Sequence, residues 1–135
     1  MLISTFTRYG LRALVRLALI EKEKKGNVSI KEISKIENIS VRYLETIFNA
    51  LRKAKILTGN RGKNGGFILN KKPEDITSYE IVQILDGEIG PVTCVFDKNY
   101  CDIKEACKTF PLWKNINEQL TKILKNTTIK KLMNN

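Results

Sequence analysis

The sequence contains no histidine. That absence removes the Ser-His-Asp and Cys-His nucleophile arrangements and every histidine-containing zinc site. A nucleotide-binding glycine loop and a carboxylate pair placed for acid–base work are missing too, so an enzymatic reading has no support. No apolar run approaches the ~18 residues that a membrane span needs. The N-terminus lacks a secretory pattern, and a cytoplasmic protein with no membrane partner is expected. Acidic residues are scarce: 14 Asp plus Glu stand against 24 Lys plus Arg, a net charge of +10. Hydrophobic residues make up 42% of the 135 positions, enough for a core, which excludes wholesale disorder. The length suits one compact domain with an appended element.

The charge is uneven. Residues 1–72 hold 16 basic and five acidic side chains, a net of +11, whereas residues 73–135 hold eight basic and nine acidic ones, a net of −1. A polyanion-binding front half and a back half with another task follow from that split.

Leu11, Leu14, Val15, Ala18 and Leu19 recur with the spacing of an amphipathic helix from about Thr5 to Lys22. Arg8, Arg12 and Arg16 share one of its sides, and Arg8 and Arg12 would touch phosphate or line the base of the domain. Glu21 to Asn27 reads as a loop. Ser29-Ile30-Lys31-Glu32 fits a capping box, opening a short helix with Ile30, Ile33 and Ile36 inward. Ser40 is the next candidate cap, and Val41, Leu44, Ile47, Phe48 and Leu51 predict a helix from Val41 to about Ala54. Two short helices joined by a tight turn describe a helix-turn-helix.

Segments Lys55–Gly59 and Gly66–Leu69 flank a Gly- and Asn-rich tip and read as a β-hairpin, which in this place is a wing. Thr77-Ser78-Tyr79-Glu80 offers another capping box for a helix with Ile81, Ile84 and Leu85 inward. Leu112, Ile116, Leu120, Ile123 and Leu124 mark a last helix, Pro111 to Asn126, whose apolar stripe reads as a dimer seam. The expected fold is mainly α: a winged helix-turn-helix domain (1–72), a connecting helix (73–90), a cysteine loop (91–110), and a dimerisation helix with tail (111–135).

Ser40, Arg42, Tyr43, Glu45, Thr46, Asn49 and Arg52 lie on or beside the polar face of the second helix of the helix-turn-helix. Arg pairs with guanine, Asn with adenine and Glu with the cytosine amino group in the major groove of double-stranded DNA. Glu45 has a plainer alternative as a solvated acid or a partner for Arg42, and Tyr43 has one in packing on the wing. Arg61 and Lys63 sit among glycines at the wing tip, where a guanidinium can enter a narrow minor groove.

Cys94, Cys101 and Cys107 fall in the one segment that periodicity leaves unexplained, six and then five residues apart. A disulfide would leave one thiol over. Zinc would want a fourth ligand and C-x-x-C spacing. An iron–sulfur cluster accepts wider spacing, and a metal-free thiol redox switch needs no further ligand. An electron-transfer protein with an incidental basic face is the rival from another class, separable by the salt dependence of DNA binding.

Arg8-Tyr9-Gly10-Leu11-Arg12-Ala13-Leu14, Ile39-Ser40-Val41-Arg42-Tyr43-Leu44-Glu45, Leu51-Arg52-Lys53 and Arg61-Gly62-Lys63-Asn64-Gly65-Gly66-Phe67 together resemble the Rrf2 family of bacterial transcription regulators. The three cysteines, with Leu112-Trp113 beyond them, resemble its iron–sulfur branch. The resemblance implies a homodimeric winged-helix repressor on roughly palindromic operators. It also implies a cluster on the three thiols, 2Fe–2S ahead of 4Fe–4S, that reports iron–sulfur status, oxidant or nitric oxide. One departure concerns the fourth ligand. Where members of that branch place a histidine after the last cysteine, this chain has Phe110; where others place an aspartate on the first helix, it has Arg8. Oxygen donors that remain are Asp97, Asp102 and Glu105 in the loop, or Ser4, Thr5 and Thr7 near the N-terminus of a second copy of the chain.

Overall fold

Apolar residues at helical spacing, each run opened by a hydroxyl side chain, set most of the architecture. The computed structural model describes residues 3–135. Helix α1 spans Thr5–Lys24 and is capped by Ser4, whose hydroxyl accepts from the Thr7 amide at 3.1 Å. It runs two residues beyond the expected Lys22. Lys22 and Lys24 are good helix formers and suit the negative end of the helix, and Lys25 ends it in the left-handed region at φ 53°.

Helix α2 (Ile30–Glu37) carries the full capping box: the Glu32 amide donates to Ser29 Oγ at 3.2 Å, and the Ser29 amide to Glu32 Oε2 at 3.0 Å. Asn38, at φ 54°, turns the chain into α3 (Val41–Lys53). Leu44, Ile47, Phe48 and Leu51 of α3 are completely buried against Ala13, Leu14 and Leu17 of α1. That stripe is the centre of the core.

The wing is an antiparallel pair, β1 (Leu57–Asn60) and β2 (Gly66–Leu69), with Leu57 opposite Leu69 and Asn60 opposite Gly66. β1 starts two residues later than the expected Lys55. The chain first has to leave α3: Lys55 takes φ 64° and the Ile56 amide reaches back to the Leu51 carbonyl at 3.0 Å. Val28 pairs with Phe67 on the other edge of β2 through bonds of 2.8 and 3.0 Å. Gly66 makes this approach feasible. It sits at φ 153°, and a Cβ there would come within 2.4 Å of the Val28 carbonyl oxygen.

Helix α4 (Ser78–Asp86) is capped by Thr77, but only half of the expected box forms. The Glu80 amide donates to Thr77 Oγ1 at 3.1 Å, while the Glu80 carboxylate turns to Lys71 Nζ at 2.7 Å. Two 3-10 turns, Thr93–Val95 and Lys104–Ala106, give the cysteine segment some local order. Helix α5 (Phe110–Asn126) packs along α4 yet has no fully buried residue.

The last ten residues correct the expectation of a plain tail. Thr128 caps a short helix, α6 (Ile129–Met133), and Ile129 is completely buried in the core of the winged domain. The Ser78 amide donates to the Thr127 carbonyl at 2.8 Å and the Ile129 amide to the Ile76 carbonyl at 2.9 Å. The chain end is therefore stitched back onto the start of α4.

A second stitch joins the start of α1 to the end of α4. The Ser4 amide donates to Asp86 Oδ2 at 3.0 Å, and the Ser4 hydroxyl donates to Oδ1. Burial works to raise the Asp86 pKa, but the hydrogen bonds from Ser4 outweigh it and hold the carboxyl below its ordinary range. A lowered folded-state value means that the contribution is present above the unfolded carboxylate pKa of about 3.9 and is lost as pH falls through the folded one. Asp86→Ala is expected to cost about 1–2 kcal/mol at pH 7. In urea denaturation series, wild-type stability should fall more steeply than the variant's below about pH 4; parallel curves would show that the carboxylate contributes nothing.

Candidate nucleic-acid interface and cysteine loop

Burying one side of α3 decides what its other side can do. Arg42, Glu45, Thr46, Asn49 and Arg52 are all exposed, and Ser40 stands exposed at the N-cap with its hydroxyl accepting from the Tyr43 amide at 3.1 Å. Thr46 Oγ1 donates to the Arg42 carbonyl at 3.3 Å, which settles that side chain against its own helix. Asn49 and Arg52 line one groove with Gly59, Asn60, Arg61 and Phe67 of the wing. Helix and wing thus share a face. Lys63 is exposed two residues beyond Arg61 at the tip.

Tyr43 departs from the expected arrangement. Its ring is half-buried and meets Phe6 and Tyr9 of α1 edge to face, at centroid distances of 5.8 and 5.7 Å. It packs on α1, not on the wing. The arginines of α1 also divide. Glu37, at 14% side-chain exposure, takes Arg12 at 3.2 Å and Arg16 at 2.8 Å, and Arg12 further donates to the Glu37 carbonyl at 2.6 Å. Both guanidinium groups are thereby spent on locking α1 to the end of α2. Arg8 is exposed, donates to Thr5 Oγ1 at 3.2 Å, and forms no ion pair among the described residues.

Asn27 is a site residue that sequence reasoning missed. Its side-chain amide donates to the Asn64 carbonyl at 3.0 Å and its carbonyl accepts from Asn60 Nδ2 at 2.8 Å, so both ends of the wing tip are tied to the α1–α2 loop. A polar asparagine in a polar loop carries no signal of such a contact.

In the cysteine loop, Cys94 lies within the first 3-10 turn and Cys107 directly follows the second, three residues before α5. All three thiols are free and partly exposed. Cys107 Sγ lies 3.3 Å from Thr109 Oγ1, and the hydrogen bonds from the Thr109 side chain and amide hold its pKa below that of an ordinary thiol. As a donor set, three unpaired soft sulfur ligands suit iron or an iron–sulfur cluster. They are not gathered: among the described residues, no three Cys, Asp or Glu side chains converge into a metal-binding group. The loop has to close for them to do so.

Several of the oxygen donors considered for a fourth ligand are engaged elsewhere. Ser4 bonds Asp86, Thr5 accepts from Arg8, and Asp97 Oδ1 accepts from the Asn99 amide at 2.9 Å. At the loop's root Gly90 is buried, where a Cβ would come within 2.5 Å of Val95 Cγ2 and 3.1 Å of Asn117 Oδ1. That Asn117 oxygen is itself buried without a donor among the described residues, a second feature that sequence reasoning missed.

Comparison with known proteins gives this geometry a lineage. The family model described as Rrf2, iron-dependent transcriptional regulator, matches residues 3–135. The HTH-type transcriptional regulator CymR of Bacillus subtilis (strain 168) is 36% identical over 132 residues, 98% of this chain and 89% of the relative. The HTH-type transcriptional regulator IscR of Klebsiella pneumoniae (strain 342) is 34% identical over 128 residues, 95% of this chain and 77% of the relative. The solved structure of CymR (YrzC), the global cysteine regulator of B. subtilis, matches with a TM-score of 0.82 at 32% identity, covering 99% of this chain and 97% of that one. T. potens IscR follows with a TM-score of 0.75 at 28% identity, covering 99% and 87%. The fold is the winged helix of these regulators, and the chain belongs to the Rrf2 family of transcriptional regulators.

Proposed function

We propose that the protein is a homodimeric repressor that places α3 in the major groove of operator DNA and the wing tip in the adjacent minor groove. The observation that carries this reading is the shared groove: Asn49 and Arg52 of α3 and Arg61 of the wing line one exposed surface whose far side is fully buried core. Arg42 and Asn49 have the donor and acceptor patterns that read guanine and adenine, and Glu45 accepts from cytosine or rejects other bases. Ser40, Arg52, Lys63 and Arg8 take phosphates and set the register, while Tyr43 supports α3 from behind. Leu112, Ile116 and Ile123 of α5 remain 53%, 39% and 63% exposed on one stripe and form the dimer seam. Pairing there would set two copies of α3 about one DNA turn, ~34 Å, apart.

The cysteine loop is the effector-responsive part of this proposal. Cys94, Cys101 and Cys107 are the residues to hold a 2Fe–2S or 4Fe–4S cluster, which would supply an iron centre open to oxidant or nitric oxide. What the chain itself contributes is the position of the loop, directly between α4 and the dimer helix. Closing it would shift α5 against α4, changing operator affinity by a coupling of about 1–3 kcal/mol. A second reading, a metal-free thiol switch, is favoured by the acidified thiol of Cys107 beside Thr109.

Duplexes selected from a random library by the wild-type protein are expected to lose affinity for Arg61→Glu by at least tenfold, about 1.4 kcal/mol. Unchanged affinity removes the wing from the interface. Protein purified without oxygen is expected to carry iron and acid-labile sulfide, and Cys101→Ala to carry neither. Metal-free wild-type protein that forms an intrachain disulfide under mild oxidant would support the thiol switch instead.

A further inference from the structure

We propose that a groove on the side of the wing, between the end of α1, the base of β2 and α6, binds a small organic anion with an apolar body, of the medium-chain carboxylate class. The groove encloses about 710 Å³, within the ~300–1,000 Å³ usual for small-molecule sites. Its floor is apolar: Ala18 from α1, Ile68 and Leu69 from β2, Pro73, and Met133 from α6. Its rim is cationic. Lys22, Lys25, Lys72 and Lys130 all line it, and none of the four has an ion pair or a side-chain hydrogen bond among the described residues.

The groove's other charges are already committed. Lys71 is paired with Glu80 at 2.7 Å. The one carboxylate in the lining, Glu21, accepts from the Leu69 amide at 3.1 Å and so braces β2. Four ammonium groups around one mouth repel each other, and an anion seated among them relieves that repulsion. A bare inorganic anion would leave the apolar floor in water, and a neutral hydrocarbon would leave the lysines unpaired. Only a molecule with both parts satisfies both surfaces.

Lys25, which ends α1 at φ 53°, borders the groove at the point where the chain turns away from the helix. None of these lysines lines the groove shared by Asn49 and Arg61, so the site is separate from the proposed DNA face. Because β2 carries the wing, an occupant touching Ile68 and Met133 would bear on the wing's posture.

The test uses the full chain with octanoate, octylammonium and inorganic phosphate as probes, followed by calorimetry and by the methyl resonances of Ile68 and Met133. Octanoate is expected to bind saturably, one per chain, with both resonances shifting, and the other two probes to bind at least about tenfold more weakly. Lys72→Gln combined with Lys130→Gln, and separately Lys22→Gln, should weaken octanoate while leaving the melting temperature and selected-duplex affinity close to wild type. Equal binding of octylammonium would reduce the site to apolar stickiness, and equal binding of phosphate to surface lysines; either overturns the proposal. So does unchanged octanoate affinity in both variants. A tenfold loss of duplex affinity in the lysine variants with octanoate binding intact would overturn it as well, by assigning the patch to DNA.

Discussion

The rest of the structure depends on the burial of one stripe of α3. Leu44, Ile47, Phe48 and Leu51 are withdrawn completely from water against α1, and Phe48 meets Phe67 of β2 edge to face at 5.2 Å. Burying a side chain of this kind is worth about 1.5–3 kcal/mol, so rotating α3 about its axis would sacrifice several such terms at once. The rotation is therefore fixed, and the polar side chains between the buried ones have one direction left to face. The Phe48–Phe67 contact extends the same constraint to the wing. The proposed recognition surface, made from two consecutive elements of different type, is in this way held by a single core.

Around this core the chain spends its polar groups on clasps. Glu37 collects Arg12 and Arg16, Asn27 collects Asn60 and Asn64, and Ser4 joins Asp86. Each clasp spans elements that the hydrophobic effect brings near but does not orient. The Glu37 clasp also changes the meaning of the charge count, since two arginines of the basic front half share one carboxylate and are held against α2. Part of the surplus that remains lies on the α3–wing face and part on the lysine rim beside α6.

How much was legible beforehand follows from the range of the forces involved. α2 and α3 were readable almost to the residue because their caps, Ser29 with Glu32 and Ser40, act within one turn of their apolar stripes. The wing is readable from its glycines, but the start of β1 is not, because the turn at Lys55 depends on the bond from the Ile56 amide back to Leu51. α6 gives no such signal: five residues, two of them lysine, between threonines and asparagines carry too short a period, and only the core reveals why Ile129 is there. Among the candidate site residues, the exposure of Arg42, Asn49 and Arg61 could be read from residue type and position. Tyr43's place under α3, Asn27's hold on the tip and the unpaired Asn117 oxygen are products of tertiary contact. The cysteines were visible at once, yet their spacing says which thiols are available and not how they are gathered.

The proposed DNA recognition through the exposed Arg and Lys side chains of α3 and the wing predicts a distinctive salt response. Affinity for a selected duplex, measured across a range of salt concentrations, should fall linearly in log–log form with a slope of several units, each phosphate contact adding about 0.9. Replacing Arg52 and Lys63 by Gln should lower that slope by roughly two, with the preferred sequence unchanged. A shallow slope, insensitive to these substitutions, would contradict the account.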